Sequence, residues 1–299
     1  MLRRSLERII QLYTDKSHFV YELLQNAEDA GATGIRFVQY SDRLEVMHDG
    51  KSFTTENLQG LCDIGQSDKV NDLNQIGEFG VGFKSVFGIC ETVRLYSSQR
   101  KKELAENCHP FAVEIKDFTK PVDIPAVDVP AGYTTLFVFP YSVGFQFSGF
   151  KNLAALNEAI TKRLKNLGVT TLLFMRHLKL IEYEIKIPGK EASGEYLLDA
   201  KPVNDHCTRV SAIESEDDKT DESLSFIKFS MPIDPMVSTR TIDVAFTVAT
   251  DKEGKTTFQK AKNPYISVYF PTETESKLDF IVQGPFRTTP NRSSVPADE

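Results

Sequence analysis

The sequence predicts an α+β protein of two domains, residues 1–184 and residues 185–299. In the first part, apolar residues recur at threes and fours over positions 1–30 and 151–167, with short strand-like runs between them. From about residue 185 the helical spacing stops and alternating, β-branched and aromatic runs take over. A chain of 299 residues is also long enough to bury two cores, and its composition is that of an ordinary globular protein.

The elements follow in order. Leu6, Ile9, Ile10, Leu12 and Tyr13, then Phe19, Val20, Leu23 and Leu24, predict helix over 1–30, ended by Gly31 and Gly34. GIRFVQY and RLEVMHD read as two short strands separated by Ser41-Asp42. Residues 54–76 are polar, with Gly60 and Gly65, and predict a mobile segment containing a short helix. GVGFKSVFGIC starts with glycines and continues as helix. TVRLYSS, FAVEIKDF and TTLFVFP are strands around the Pro-rich stretch 121–130. KNLAALNEAITKRLKNL (151–167) is an amphipathic helix, and TTLLFMRHLKLIEYEIKI after it is strand-like. In the second part SFIKFSMPI, TIDVAFTVAT, YISVYFP and LDFIVQG are strands, and the acidic run Ser215–Ser223 reads as an exposed loop.

Several classes are disfavoured. A formal charge of −7 gives the whole chain no electrostatic footprint for nucleic acid. No apolar run approaches bilayer length, and Glu7, Arg8 and Gln11 interrupt what would otherwise resemble a signal peptide. Cys62, Cys90, Cys108 and Cys207 form no CxxC pair, which points to reduced thiols and a cytoplasmic protein. Nothing in the spacing of Cys108-His109 and His206-Cys207 supports a zinc site.

Three stretches carry candidate chemistry. Glu22, Asn26 and Asp29 stand at i, i+4 and i+7, so a helix puts them on one face. A carboxylate there can take a proton from water, and an amide oxygen one turn on can hold a hard metal ion. The plainer alternative is the wet side of an amphipathic helix. His48-Asp49-Gly50-Lys51-Ser52-Phe53 follows a predicted strand, where an acceptor-only carboxylate could take the exocyclic amine of adenine, although Asp-Gly is also an everyday turn. In Ile76-Gly77-Glu78-Phe79-Gly80-Val81-Gly82-Phe83-Lys84-Ser85, glycines leave backbone N–H groups open just before a predicted helix, which suits phosphate oxygens. The run is not placed as a Rossmann fingerprint, and it lacks the Walker pattern.

In this order, the three stretches resemble the GHKL ATPase superfamily. IGEFGVGFKSVF is similar to the version in the ninety-kilodalton heat-shock chaperone. Glu22–Ala30 with Gly31-Ala32, HDGKSF and GQSDK (65–69) are closest to sacsin-type amino-terminal ATPase modules. The resemblance implies a Bergerat fold for the first part, a two-layer α/β sandwich whose mixed sheet has helices on one face, followed by a smaller, mainly β α+β domain. It implies ATP and Mg²⁺ as ligands. Glu22 would be the general base, Asn26 would bind Mg²⁺, Asp29 would support the metal or its water, and Asp49 would read the adenine amine. Gly77, Gly80 and Gly82 would close over the phosphates, with Val81 and Phe83 among the nucleotide-contacting residues and 54–76 as lid. The threonine that supports the adenine-binding carboxylate maps to Thr134, with Thr135 the alternative. Lys69 and Lys84 could meet phosphate, the plainer reading being solvated lysines.

One departure is that Asp49 is followed by Gly-Lys-Ser-Phe rather than by the superfamily's Asp-x-Gly-x-Gly, a shorter form that sacsin-type members share. Near the end, Phe280–Ser294 resembles a second-domain segment from which an arginine reaches the γ-phosphate; Arg292 is the candidate and Arg287 the second. The expected activity is slow ATP hydrolysis coupled to movement of the second domain. The alternatives are an ATP-gated scaffold with little turnover, or a histidine kinase, for which no phosphoacceptor helix pair is evident. A nucleotide-dependent homodimer, further C-terminal domains and an unspecified client complete the expectation.

Overall fold

The computed structural model describes residues 17–62, 82–98, 111–116, 120–145, 148–217, 219–234, 237–262, 264–289 and 294–296. The chain divides into two compact units. One comprises Met1–Leu167 with Ile181–Gly194, and the other Gly168–Leu180 with Glu195–Glu299.

In the first unit, helix α1 (Phe19–Asp29) ends where Gly31 takes a left-handed φ of 68°. The Gly31 N–H donates to Glu28 O and the Ala32 N–H to Ala27 O, the paired bonds of a Schellman stop. Strands β1 (Gly34–Tyr40) and β2 (Arg43–His48) follow as a hairpin across Ser41-Asp42, as expected. Helix α2 (Thr55–Cys62) opens with a capping box: the Asn57 N–H donates to Thr54 Oγ1 and the Thr54 N–H to Asn57 Oδ1. It is the short helix anticipated within 54–76; residues 63–81 lie outside the described residues. A 3₁₀ helix (Gly82–Gly88) then leads into β3 (Val93–Ser97), β4 (Phe111–Lys116), β5 (Lys120–Asp123) and β6 (Thr135–Pro140). Helix α3 (Leu153–Lys165) is capped by Asn152, whose Oδ1 accepts the Ala155 N–H, and buries Leu156, Ile160 and Leu164. The strand order is β7-β1-β2-β6-β3-β4-β5, with β7 at Leu180–Lys186.

Period-two alternation sorts the sheet's side chains. Val38, Met47, Tyr96, Ala112, Leu136 and Val138 form a buried cluster on one face, covered by Tyr40, Ile124, Val129 and Tyr133. Ile35, Phe37, Leu44, Val46, His48, Leu95, Phe137 and Phe139 alternate with them on the other face and are also buried. That second face carries the 3₁₀ helix, because the Phe137 ring lies 5.6 Å from Phe83. It also meets α3, because Gln39 Nε2 donates to Asn157 O.

The second unit adds β8 (Ala192–Asn204), β9 (Cys207–Glu216), β10 (Lys219–Asp234), β11 (Val237–Thr250), β12 (Thr256–Gln259), β13 (Tyr265–Val268), β14 (Phe270–Glu275) and β15 (Ile281–Gln283). Their order is β14-β13-β15-β11-β10-β9-β8, with β12 beside β11, and β13 and β15 run parallel. Phe226, Val210, Ala212 and Ala245 are buried where β9, β10 and β11 meet.

Four expectations are corrected. The two-layer α/β sandwich of a Bergerat fold is not the architecture: the described residues are mainly strand, in large mixed β-sheet structure, with three α-helices and one 3₁₀ helix among them. The helix read into GVGFKSVFGIC is a seven-residue 3₁₀ turn, and the alternating runs of the second part extend into strands of up to 16 residues. Ser215–Ser223 is not a loop, because β9 and β10 pair through it and turn at Asp217, which takes the left-handed φ of 47° that a short polar side chain tolerates. Finally, residues 170–176 form successive i to i+3 turns, such as Leu173 N–H to Thr170 O, so the strand read from Thr170 begins only at Leu180.

Candidate functional site

Helix α1 presents Glu22, Asn26 and Asp29 along one stripe, but the three are not equally wet. Glu22 is 5% exposed, whereas Asn26 and Asp29 are half-buried. Burial of the carboxylate follows from its neighbour: a Cβ built on Gly82 would collide with Glu22 Oε2 and Cδ. The helix and the glycine-led 3₁₀ turn therefore meet at this point, and only glycine leaves room there. His18, the N-cap residue one turn before Glu22, brings Nε2 to 3.7 Å from Glu22 Oε1.

The other end of α1 holds the turn after β2. The Lys51 N–H donates to Ala30 O at 2.8 Å, and a Cβ on Gly50 would stand 2.8 Å from that oxygen and 3.0 Å from Ala30 Cβ. Gly50 is thus required by close backbone approach to the helix stop. Thr134, fully buried, donates its hydroxyl to Gly50 O at 2.5 Å, and His48 O lies 3.2 Å from the same oxygen, which clamps the turn from β6. Thr134 acts on the backbone either side of Asp49.

The Asp49 carboxylate is itself held by the α1–β1 connection. Oδ1 accepts the N–H groups of Thr33 at 2.7 Å and Gly34 at 3.0 Å, and Oδ2 accepts the Thr33 hydroxyl at 2.5 Å. These bonds outweigh partial burial and hold its pKa below the usual carboxylate range. Three of roughly four lone-pair sites on the carboxylate are thereby filled.

Lys84 is not the solvated cation expected. Its side chain is 1% exposed, and its ammonium donates to Leu61 O near the carbonyl end of α2. Phe83 is buried against Phe137. Lys69, Gly77, Gly80, Val81 and Arg292 lie outside the described residues; Arg287 is exposed, in the second unit.

Sequence reasoning gave no role to one buried group, His48, and named a second, Thr135, only as the alternative to Thr134. His48 closes the Leu44–Val46–His48 series on the apolar face and is 3% exposed. Its Nδ1 accepts the Gly50 N–H at 3.2 Å, which places the ring proton on Nε2, and burial lowers its pKa to about 4. Thr135 pairs directly with His48 across β2 and β6 and with Ser97 across β3 and β6. It is fully buried, and its hydroxyl has no hydrogen-bond partner among the described residues. The signal for both was available: each is polar at a position where strand alternation demands an inward side chain.

Most of these residues, though not Thr134, Thr135, Phe137, Arg287 or Arg292, fall within a stretch that comparison also singles out. Residues 1–102 match the Sacsin domain family, so the chain is sacsin-like over its first third. Over 322 residues it is 25% identical to Protein NO VEIN of Arabidopsis thaliana, an alignment covering 99% of this chain and 11% of that protein. Over 112 residues it is 30% identical to Sacsin of Homo sapiens, covering 32% of this chain and 2% of sacsin. The chain therefore spans only a small part of the length of these relatives. Among the described residues, no helix is long and apolar enough to cross a membrane, and no group of three or more His, Cys, Asp or Glu is placed to hold a metal ion.

Proposed function

We propose that this chain is an ATP-binding module of the GHKL motif class that hydrolyses ATP slowly with Mg²⁺. The observation that carries the reading is the apposition of Glu22 and Gly82: the acid of the first motif and a glycine of the third meet although sixty residues separate them. The second motif closes on the same helix through Lys51 and Gly50.

The residues present fit the implied ligands. At Gly82 the absent side chain leaves room for the Glu22 carboxylate beside the third motif, and Asn26 offers a hard amide oxygen one turn from the acid. Asn26 would hold Mg²⁺, with Asp29 supporting its water; a single protein ligand is common for this ion when phosphates supply the rest. When bound, Mg²⁺ neutralises phosphate charge. Glu22 takes a proton from water as the water oxygen bonds the γ-phosphorus and the bridging oxygen leaves with its electron pair on ADP. Burial of Glu22 keeps competing solvent away from that proton transfer. In this reading turnover is slow and coupled to movement of the second part of the chain, and nucleotide favours self-association.

Glu22→Ala tests it. Phosphate release should disappear while ATP titrated in the presence of Mg²⁺ still binds. Equal trace release from both proteins would favour a non-hydrolysing ATP-gated scaffold, and a wild-type chain that binds no ATP would remove the proposal altogether.

A further inference from the structure

We propose that the face of β10, β11 and β12 that carries Phe229, Met231 and Phe258 is where a second copy of this chain packs, sheet against sheet. Phe229, Met231 and Ile233 stand at alternate positions of β10, and Met231 and Phe229 pair with Ile242 and Val244 of β11. Farther along, Phe246 pairs with Ile227. The Phe246 ring lies 6.1 Å from Phe229, 5.6 Å from Phe258 of β12 and 5.0 Å from Phe280. Register and ring contacts thus set one continuous apolar band on a single face of the second unit.

The band is open. Phe229, Met231, Ile233, Ile242 and Phe258 are between 42% and 67% exposed. The intervening residues turn to the other face, where Phe226 and Ala245 are fully buried beside Lys228, Ser230 and Asp243. An antiparallel sheet covered on one side ordinarily turns its polar side chains toward water. Here the uncovered face is the more apolar of the two, which is the pattern of a sheet that takes a second layer.

Area and charge select the occupant. At about 200 Å² per large side chain, the five leave on the order of 500 Å² of apolar surface open. Specific interfaces are about 60% apolar, so with its polar rim such a patch implies about 800 Å² per partner, the standard size for a stable pair. The chain carries a formal charge of −7, so two copies repel wherever carboxylates meet. Alternate positions from Ile227 to Ile233 and from Ile242 to Val248 hold no charged residue, so two copies meet there without facing like charges. A basic foreign partner would be drawn to carboxylates, and the band offers none. A two-fold contact also sets the sheet on one of identical twist, and such aligned sheets pack about 10 Å apart with their side chains interdigitating.

The test is analytical ultracentrifugation of the 299-residue chain without nucleotide, beside Met231→Glu, Phe258→Glu and, as a control in the first unit, Val127→Glu. Concentrations of about 1–100 µM cover the weak end of the affinities that interfaces of this size show. All three replaced side chains are exposed, so each variant should keep the wild-type circular dichroism spectrum. The expected result is a wild-type dimer that Val127→Glu retains. Met231→Glu and Phe258→Glu should each raise its dissociation constant at least roughly thirtyfold, because a two-fold contact buries each new carboxylate twice. A wild-type chain that stays monomeric, or a dimer that both band variants leave intact, would overturn the proposal. A dimer that forms only with ATP and Mg²⁺ would place self-association at the nucleotide site and overturn it as well. A monomer that takes up an apolar dye, with uptake lost in both band variants, would give the band to a different protein. None of these outcomes depends on whether the chain hydrolyses ATP.

Discussion

The carboxylate of Glu22 rests against the α-carbon of Gly82, so the side chain of one and the missing side chain of the other occupy a single volume. The Glu22 carboxylate can keep this place only while position 82 is glycine.

Gly82→Ala should therefore separate stability from function. The atoms a new methyl group would meet are the far end of a flexible side chain, which can swing aside. The expected cost in urea denaturation is about 1 kcal/mol or less. The displaced carboxylate would no longer hold its place, so phosphate release should fall by roughly tenfold or more. A variant that unfolds while its folded fraction retains full turnover would show that Gly82 serves packing alone.

Gly50→Ala should behave in the opposite way. Its new methyl group would meet the Ala30 carbonyl oxygen at 2.8 Å and Ala32 N at 3.0 Å, which are backbone atoms at a helix stop and cannot rotate away. We expect about 1–3 kcal/mol of destabilisation in the same measurement. Unfolding curves that superimpose on wild type would mean that the turn after β2 is free to move off α1.

How far the sequence could be read follows from which signals are local. The β1–β2 hairpin, the glycine stop of α1 and the amphipathic α3 are written in spacing and punctuation, and they stand as expected. The balance of helix and strand was not legible. A glycine-rich run that scores as a helix start can settle for a 3₁₀ turn, and the acidic stretch around Asp217 joins a hairpin because its partner strand pairs through it. In the site, the stripe of Glu22, Asn26 and Asp29 follows from helical periodicity, but the burial of Glu22 depends on a residue sixty positions away. The same distance effect hid Lys84, whose charge suggested solvent until the end of α2 was seen to receive it. His48 and Thr135 were readable in principle, since alternation alone turns both inward.

Acid should unfold this protein from the base of the site. His48 is neutral and buried in the folded state with a pKa of about 4, against an ordinary value of 6.5. Between these values the unfolded chain binds a proton that the folded chain refuses, so stability rises with pH across that window. The stability is complete above about pH 6.5 and is lost as pH falls toward 4, on the order of 3 kcal/mol in all. Asp49 adds in the same direction at lower pH: its carboxylate is held below the ordinary range by Thr33 and Gly34, so that contribution is present above the ordinary carboxylate pKa and disappears as pH falls through the folded one. Urea midpoints measured from pH 7 to pH 4 should decline with a slope that His48→Asn flattens, because asparagine has no proton to take up. A wild-type slope matched by that variant would assign the acid sensitivity elsewhere.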